Sequence, residues 1–170
     1  LLKVNMEKTQ VAYIRNVKFL GYGFYQYKGE GRLRVHPKSV QKLKDNIREV
    51  TGRRNGMGIE ARRARLNQII RGWVNYFKLA DMKNLMQKLD EWVRSRIRMV
   101  TWNRWKKVRT RFRNLKSLGI DEERAWMWAN TRKGYWRTAH SPILTRTLSN
   151  ALFKQTGYLS FVDCYSGVKA

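Results

Sequence analysis

Leu66-Asn67-Gln68-Ile69-Ile70-Arg71-Gly72-Trp73-Val74-Asn75-Tyr76-Phe77 is the most informative stretch of this sequence. Leu66, Ile69, Ile70, Trp73 and Phe77 recur at intervals of three and four, the period of a helix that buries one stripe. Asn67, Arg71 and Asn75 follow each other four apart on the opposite face. The spacing predicts a helix over about 59–79, with Trp73 and Phe77 packing inward and amides and a guanidinium facing away.

Working outward, Val40, Leu43, Ile47 and Val50 form a second apolar stripe, so a helix is expected over about 37–51 with Pro37 in its first turn. The intervening Thr51–Gly58 (TGRRNGMG) is a basic, glycine-rich loop. Upstream, residues 11–35 read as β: Val11, Tyr13, Val17, Phe19 and Leu20, then Tyr22, Phe24, Tyr25 and Tyr27. Lys28-Gly29-Glu30-Gly31 then turns the chain into Leu33-Arg34-Val35. Downstream, Asp81 is the expected N-cap of a third helix with Leu85, Leu89 and Trp92 inward. The pattern leaves open whether that helix continues past residue 100 or breaks near Thr101. A helix over about 104–117 should end at Gly119, and Asp121-Glu122-Glu123 should start the next. Ser141-Pro142 opens a last one through Leu144, Leu148 and Leu152, closed near Gly157. The fold class is mainly α, with a β-hairpin region first.

The chain has 170 residues with 37 Lys and Arg against 12 Asp and Glu, a formal charge of +25. An apolar fraction of 42% is too rich for a disordered basic tail. Charge of that size strains a compact protein unless a polyanion neutralises it, so nucleic acid is the expected partner. No apolar run suits a membrane span, so no membrane partner is expected. The lone Cys164 excludes an internal disulfide, and with only His36 and His140 there is no zinc-site spacing. The opening Leu1-Leu2-Lys3-Val4 lacks an initiator Met and resembles no signal or transit peptide, which suggests the interior of a longer or split protein.

Three basic groups are candidate contacts. Between Arg94 and Arg113, nine of twenty residues are Lys or Arg (Arg94, Arg96, Arg98, Arg104, Lys106, Lys107, Arg109, Arg111 and Arg113) and none is acidic. Trp102, Trp105 and Phe112 interleave with them, either stacking on unpaired bases or filling a core after a helix break. Arg53, Arg54, Arg62, Arg63 and Arg65 flank the glycine loop, where helix N-termini and backbone can receive phosphate. Arg132, Lys133, Tyr135 and Arg137 lie in an expected loop before His140, itself read as structural. Acidic catalysis finds no support. Asp90 and Glu91 diverge by about 100° on a helix, Asp121-Glu122-Glu123 are capping acids, and neither Asp163 nor Ser141 has an evident partner base.

Several segments resemble the group II intron-encoded reverse transcriptases. Lys3-Val4-Asn5-Met6-Glu7-Lys8-Thr9 is similar to the block whose lysine lies near incoming nucleotide, and Phe19-Leu20-Gly21-Tyr22 to the following β element that grips the primer end. Leu66–Phe77 resembles the signature of the maturase-specific thumb, or domain X; Leu89–Arg94 and Trp102–Lys107 fit the same family. The resemblance implies the β end of a palm at 1–36, a helical thumb at 37–118 and a helical DNA-binding region at 119–170. It places Lys8, Phe19, Leu20 and Gly21 near nucleotide or primer; Arg71 and Asn75, on the polar face of their helix, are further candidate RNA- or DNA-binding residues, the alternative being that they pack against a neighbouring helix.

The family's palm aspartates and its Cys/His endonuclease are both missing from this sequence, so it resembles the endonuclease-lacking type and should be catalytically inactive alone. Mg²⁺ would belong to the complete polymerase, and no cofactor to this chain. The implied function is to bind intron RNA during splicing and to hold template–primer during RNA-templated DNA synthesis. The implied partners are intron RNA, target or primer DNA and, as an open alternative, a separate chain carrying the palm. The compartment would be a bacterial cytoplasm or an organelle. Competing readings are a stand-alone RNA-binding or ribosome-associated protein, and a helical DNA-binding module of a recombinase.

Overall fold

The computed structural model describes residues 12–169, which leaves Lys8 and Val11 outside the described residues. A 3-10 turn at Ile14–Asn16 leads into β1 (Lys18–Phe19), β2 (Tyr22–Tyr27) and β3 (Glu30–Val35), an antiparallel sheet in the order β1-β2-β3. The register pairs Lys18 with Gly23, Tyr22 with Val35 and Tyr27 with Glu30. Both hairpins close through two residues of positive φ, Leu20 (48°) with Gly21 (82°) and Lys28 (50°) with Gly29 (83°). Such turns match the twist of the strands they join. The extended reading of residues 12–20 is therefore corrected to two paired residues, because the 3-10 turn at Ile14–Asn16 replaces the strand that would otherwise continue opposite β2. The second turn is also narrower than expected, with Glu30 and Gly31 already in β3.

Helix α1 (Pro37–Val50) begins at the proline, and the His36 ring caps it by accepting from the Lys38 N–H at 3.2 Å. Partial burial, with Lys18, Lys38 and Arg34 nearby, lowers the His36 pKa and favours the neutral ring that can accept. Leu43, Ile47 and Val50 face the core. Helix α2 (Ile59–Tyr76) buries Leu66, Ile70 and Val74, with Phe77 at its C-cap. It stops short of residue 79 because the chain must turn back: the Asp81 N–H donates to the Leu33 carbonyl at 2.8 Å, and Ala80 is fully buried. Asp81 is not the N-cap of the next helix. Its carboxylate accepts from the Tyr25 hydroxyl at 2.9 Å and faces Arg32 and Lys169, while Met82 occupies the cap position.

Helix α3 (Lys83–Arg104) is continuous for 22 residues, about 33 Å at the usual rise. It breaks at Trp105-Lys106-Lys107, before α4 (Val108–Ser117), which starts later than the pattern suggested. Gly119, at φ 86°, ends α4 and leads to α5 (Glu122–Ala129), capped by Asp121 through the Arg124 N–H. Beyond it lie α6 (Tyr135–Ala139), in the expected loop, then α7 (Pro142–Thr147), α8 (Asn150–Gln155) and α9 (Phe161–Lys169). The single helix expected from Ser141 to Gly157 is thus two. Ser149 supplies a second N-cap, accepting from the Leu152 N–H at 3.3 Å.

A core cluster runs from Val35 to Tyr165 and crosses both boundaries expected at residues 36 and 118. Helix α9 lies against α2 and α3. The Asp90 carboxylate on α3, 4% exposed, accepts from the Ser160 hydroxyl (2.7 Å) and from the N–H groups of Phe161 (2.7 Å) and Val162 (3.1 Å). It is the N-terminal cap of α9, supplied from another helix. Asn67 grips the preceding backbone from α2, donating to the Gly157 carbonyl (2.7 Å) and accepting from the Leu159 N–H (2.9 Å). The Tyr165 hydroxyl reaches the Ala80 carbonyl at 2.8 Å. No described helix is long and apolar enough to cross a membrane.

Removing the Asp90 carboxylate strands the donors at the start of α9 in the interior. Asp90→Ala should cost about 2–4 kcal/mol in urea unfolding, and Asp90→Asn distinctly less because one oxygen still accepts.

Candidate nucleic-acid interface

Arginine side chains end in five donors on a charge that burial penalises, so each must find either carbonyls inside or solvent outside. The basic groups divide along that line. Arg62 is 4% exposed, with Nε donating to the Val50 carbonyl and Nη2 to that of Asn55, both at 3.0 Å. Arg98 is 7% exposed, donates to the Leu148 carbonyl at 3.0 Å and lies 5.5 Å from the Phe153 ring. Burial, with Arg104 near the first and Arg94 near the second, lowers the pKa of both. Half-buried Arg111 bonds the Trp105 and Ala129 carbonyls and stacks 4.6 Å from the Trp102 ring. These three expected contacts are corrected to interior braces of the α1–α2, α3–α7 and α4–α5 connections.

Trp102 is a core residue, 1% exposed. Trp105, half-buried, packs edge-on to it at 5.8 Å and against the core, so its ring is occupied within the fold. The helix break that seats Trp105 turns its neighbours outward: Arg104, Lys106, Lys107, Arg109 and Arg113 are all exposed, and none pairs with a carboxylate among the described residues. The α2 start meets this end of α3. Arg62, Arg63 and Arg104 lie around Tyr158, whose hydroxyl burial pushes to a higher pKa against those cations. Arg63 also donates to the Thr156 carbonyl at 2.6 Å, while Arg65 is exposed beside Gln68.

Arg53, Arg54, Arg132, Lys133 and Arg137 are exposed, and Tyr135 and Arg94 are half-buried. On α2, Arg71 and Asn75 are exposed as the spacing predicted, but Asn67 on the same face is committed to the chain before α9. Trp73 packs against Phe77 and Phe161, so the apolar side of this helix has the inward role expected of it. His140 is structural: its Nδ1–H donates to the Trp136 carbonyl at 2.8 Å. Arg96, counted in the Arg94–Arg113 basic run, is likewise a brace. Its guanidinium donates to the Thr51 hydroxyl (2.9 Å) and to the Arg48 and Thr51 carbonyls, tying α3 to the end of α1.

At the opposite end, the Leu20–Gly21 turn presents a leucine, 65% exposed, in a left-handed conformation that costs a branched side chain energy. Four contacts brace it: the His36 N–H and Ser39 hydroxyl donate to the Gly21 carbonyl, Tyr76 donates to the Leu20 carbonyl, and Tyr22 to the Tyr76 carbonyl. A Cβ at Gly21 would meet Ser39 Oγ at 3.0 Å and the Phe77 ring at 3.1 Å, so the turn is packed tightly on α1 and α2. Among the described residues no group of three or more His, Cys, Asp or Glu is placed to hold a metal.

A helical bundle docked on a three-stranded sheet, with its free cations outward, is the frame in which the sequence signature sits. Residues 40–119 match the family model described as group II intron, maturase-specific domain. That region, from within α1 to just past α4, is a group II intron maturase-specific domain, in keeping with the C-terminal part of a group II intron maturase. The match points to a maturase role in intron splicing for this domain and implies group II intron RNA as what it binds. No curated protein matches the chain.

The inward arginines should behave as stability residues. Arg62→Ala and Arg98→Ala should each lose about 1.5–3 kcal/mol in urea unfolding, through broken charged hydrogen bonds. Arg113→Ala and Arg132→Ala should stay within about 0.5 kcal/mol of the parent.

Proposed function

We propose that this chain grips intron RNA and positions template–primer as the thumb end of a group II intron reverse transcriptase–maturase. The observation that carries the reading is the exposed basic break between α3 and α4, where Arg104, Lys106, Lys107 and Arg109 face solvent beside Trp105. Cations fixed on a rigid bundle neutralise phosphates with little ordering cost and release counterions on binding. Arg53, Arg54, Arg65 and Arg113 extend the cationic surface, and Arg71 with Asn75 adds polar contacts on α2.

The braced Leu20–Gly21 turn supports the primer-holding part of the reading. Strained backbone persists where surrounding structure over-determines it, as at sites that must present one shape to a ligand. Carboxylates and Mg²⁺ for nucleotide transfer would come from a palm, on the same or another chain, in a bacterial cytoplasm or an organelle. Segment 119–170 would meet DNA through its exposed cations.

Changing Arg104, Lys106, Lys107 and Arg109 together to Gln should flatten the log–log salt dependence of intron RNA binding by about 3 if all four meet phosphates. Filter binding across a salt series reads this directly, and an unchanged slope would show that the break faces elsewhere. In a primer-extension assay with Mg²⁺ the chain alone should be inactive; robust extension would overturn the division of labour proposed here.

A further inference from the structure

An open cleft of about 650 Å³ lies between the loop after α1, the middle of α3, and α6. Arg53, Arg96 and Arg137 line it with Tyr135 and Trp136, and no carboxylate does. Ligand pockets begin at roughly 300 Å³, so there is room for a nucleotide. Trp136 is 42% exposed and yet held in place: the His140 ring packs against it edge-on at 4.5 Å and anchors to its carbonyl. The Arg53 guanidinium covers the Tyr135 ring at 5.5 Å and that of Arg96 lies over the Trp136 ring at 5.9 Å, and Trp136 keeps the more exposed ring of the two. Arg96 lies 5.9 Å from the Trp136 centroid and 6.0 Å from that of Trp92, between the two indoles. Its Nε and Nη2 are committed to Thr51 and Arg48, and Nη1 bonds no described residue.

An apolar protein partner on Trp136 would desolvate these guanidinium groups without pairing them, which is costly. A continuous duplex keeps its base faces stacked on one another and cannot offer one to the ring. An unpaired nucleotide supplies both a π-face and a phosphate, which are the two things the cleft can bind. We infer that this cleft receives an unpaired base of an RNA strand, stacked on Trp136, with the flanking phosphates on Arg53 and Arg137. The inference rests on the RNA-binding reading above and adds to it the form of RNA, a single-stranded loop or junction, and the residue that reads it.

The test compares the full chain with Trp136→Ala, Trp136→Phe and Arg53→Gln/Arg137→Gln on two RNAs of one sequence. One is an adenine-rich single strand carrying 2-aminopurine, and the other is a blunt duplex. Trp136→Ala should weaken single-strand binding by roughly 5- to 150-fold, the usual worth of one stacked base. It should also abolish aminopurine quenching, while duplex affinity and the melting temperature stay unchanged. Trp136→Phe should recover much of the loss, and the double arginine variant should flatten the single-strand salt slope by about 1.4. Equal loss on both RNAs, or no loss while the parent chain binds with normal salt dependence, would overturn the cleft and leave the wider RNA reading standing. No binding of either RNA by the parent chain would overturn both.

Discussion

Asp90 sits in the middle of α3 with its carboxylate inside the protein, where three donors from the start of α9 converge on it. A buried carboxylate is tolerated only when its oxygens are saturated with donors, and an orphan helix start is tolerated only when its N–H groups find acceptors. Each satisfies the other. The arrangement seats Phe161 in the core and brings Tyr165 onto the turn between α2 and α3, so the last described helix becomes part of the same core as the first. Asn67 and Arg63 fasten residues 156–159 to α2 on the way. The maturase-specific domain is thereby covered along one flank by chain that lies beyond its own boundary.

Electrostatics organises the remaining surfaces. Of the 37 Lys and Arg, a few arginines meet the interior. Arg62, Arg96, Arg98 and Arg111 are absorbed by backbone carbonyls at the points where helices end, which are the places with unpaired acceptors to offer. Those arginines hold the connections between helices, and the cations left over face outward along the α2 start, the α3–α4 break and α6. The rigidity of the bundle and much of its outward positive charge therefore come from arginine, in two roles.

Helical segments with dense apolar stripes were legible. Leu43, Ile47 and Val50 in α1, Leu66, Ile70 and Phe77 around α2, and Leu89 in α3 are buried as their spacing predicts. So were caps that depend on adjacent residues, such as Pro37, Asp121 and Ser141. Short elements were not. Helix α9 buries only Phe161 and Tyr165 among its nine residues, too few to mark a period, and α6 is barely more than one turn. Asp81 has the composition of a cap, but a tyrosine and two cations from distant segments claim its carboxylate.

Local pattern and composition by themselves determined that this protein is mainly helical, strongly cationic and built around the Leu66–Phe77 helix, because periodicity and charge are properties of neighbours along the chain. Which arginines face solvent and which brace the fold was decided only by tertiary structure. Arg109 and Arg111 are indistinguishable by type and lie two positions apart, yet the first is exposed and the second is held by the Trp105 and Ala129 carbonyls. A guanidinium goes wherever unpaired carbonyls or water await it, and the positions of those carbonyls exist only once distant helices have packed.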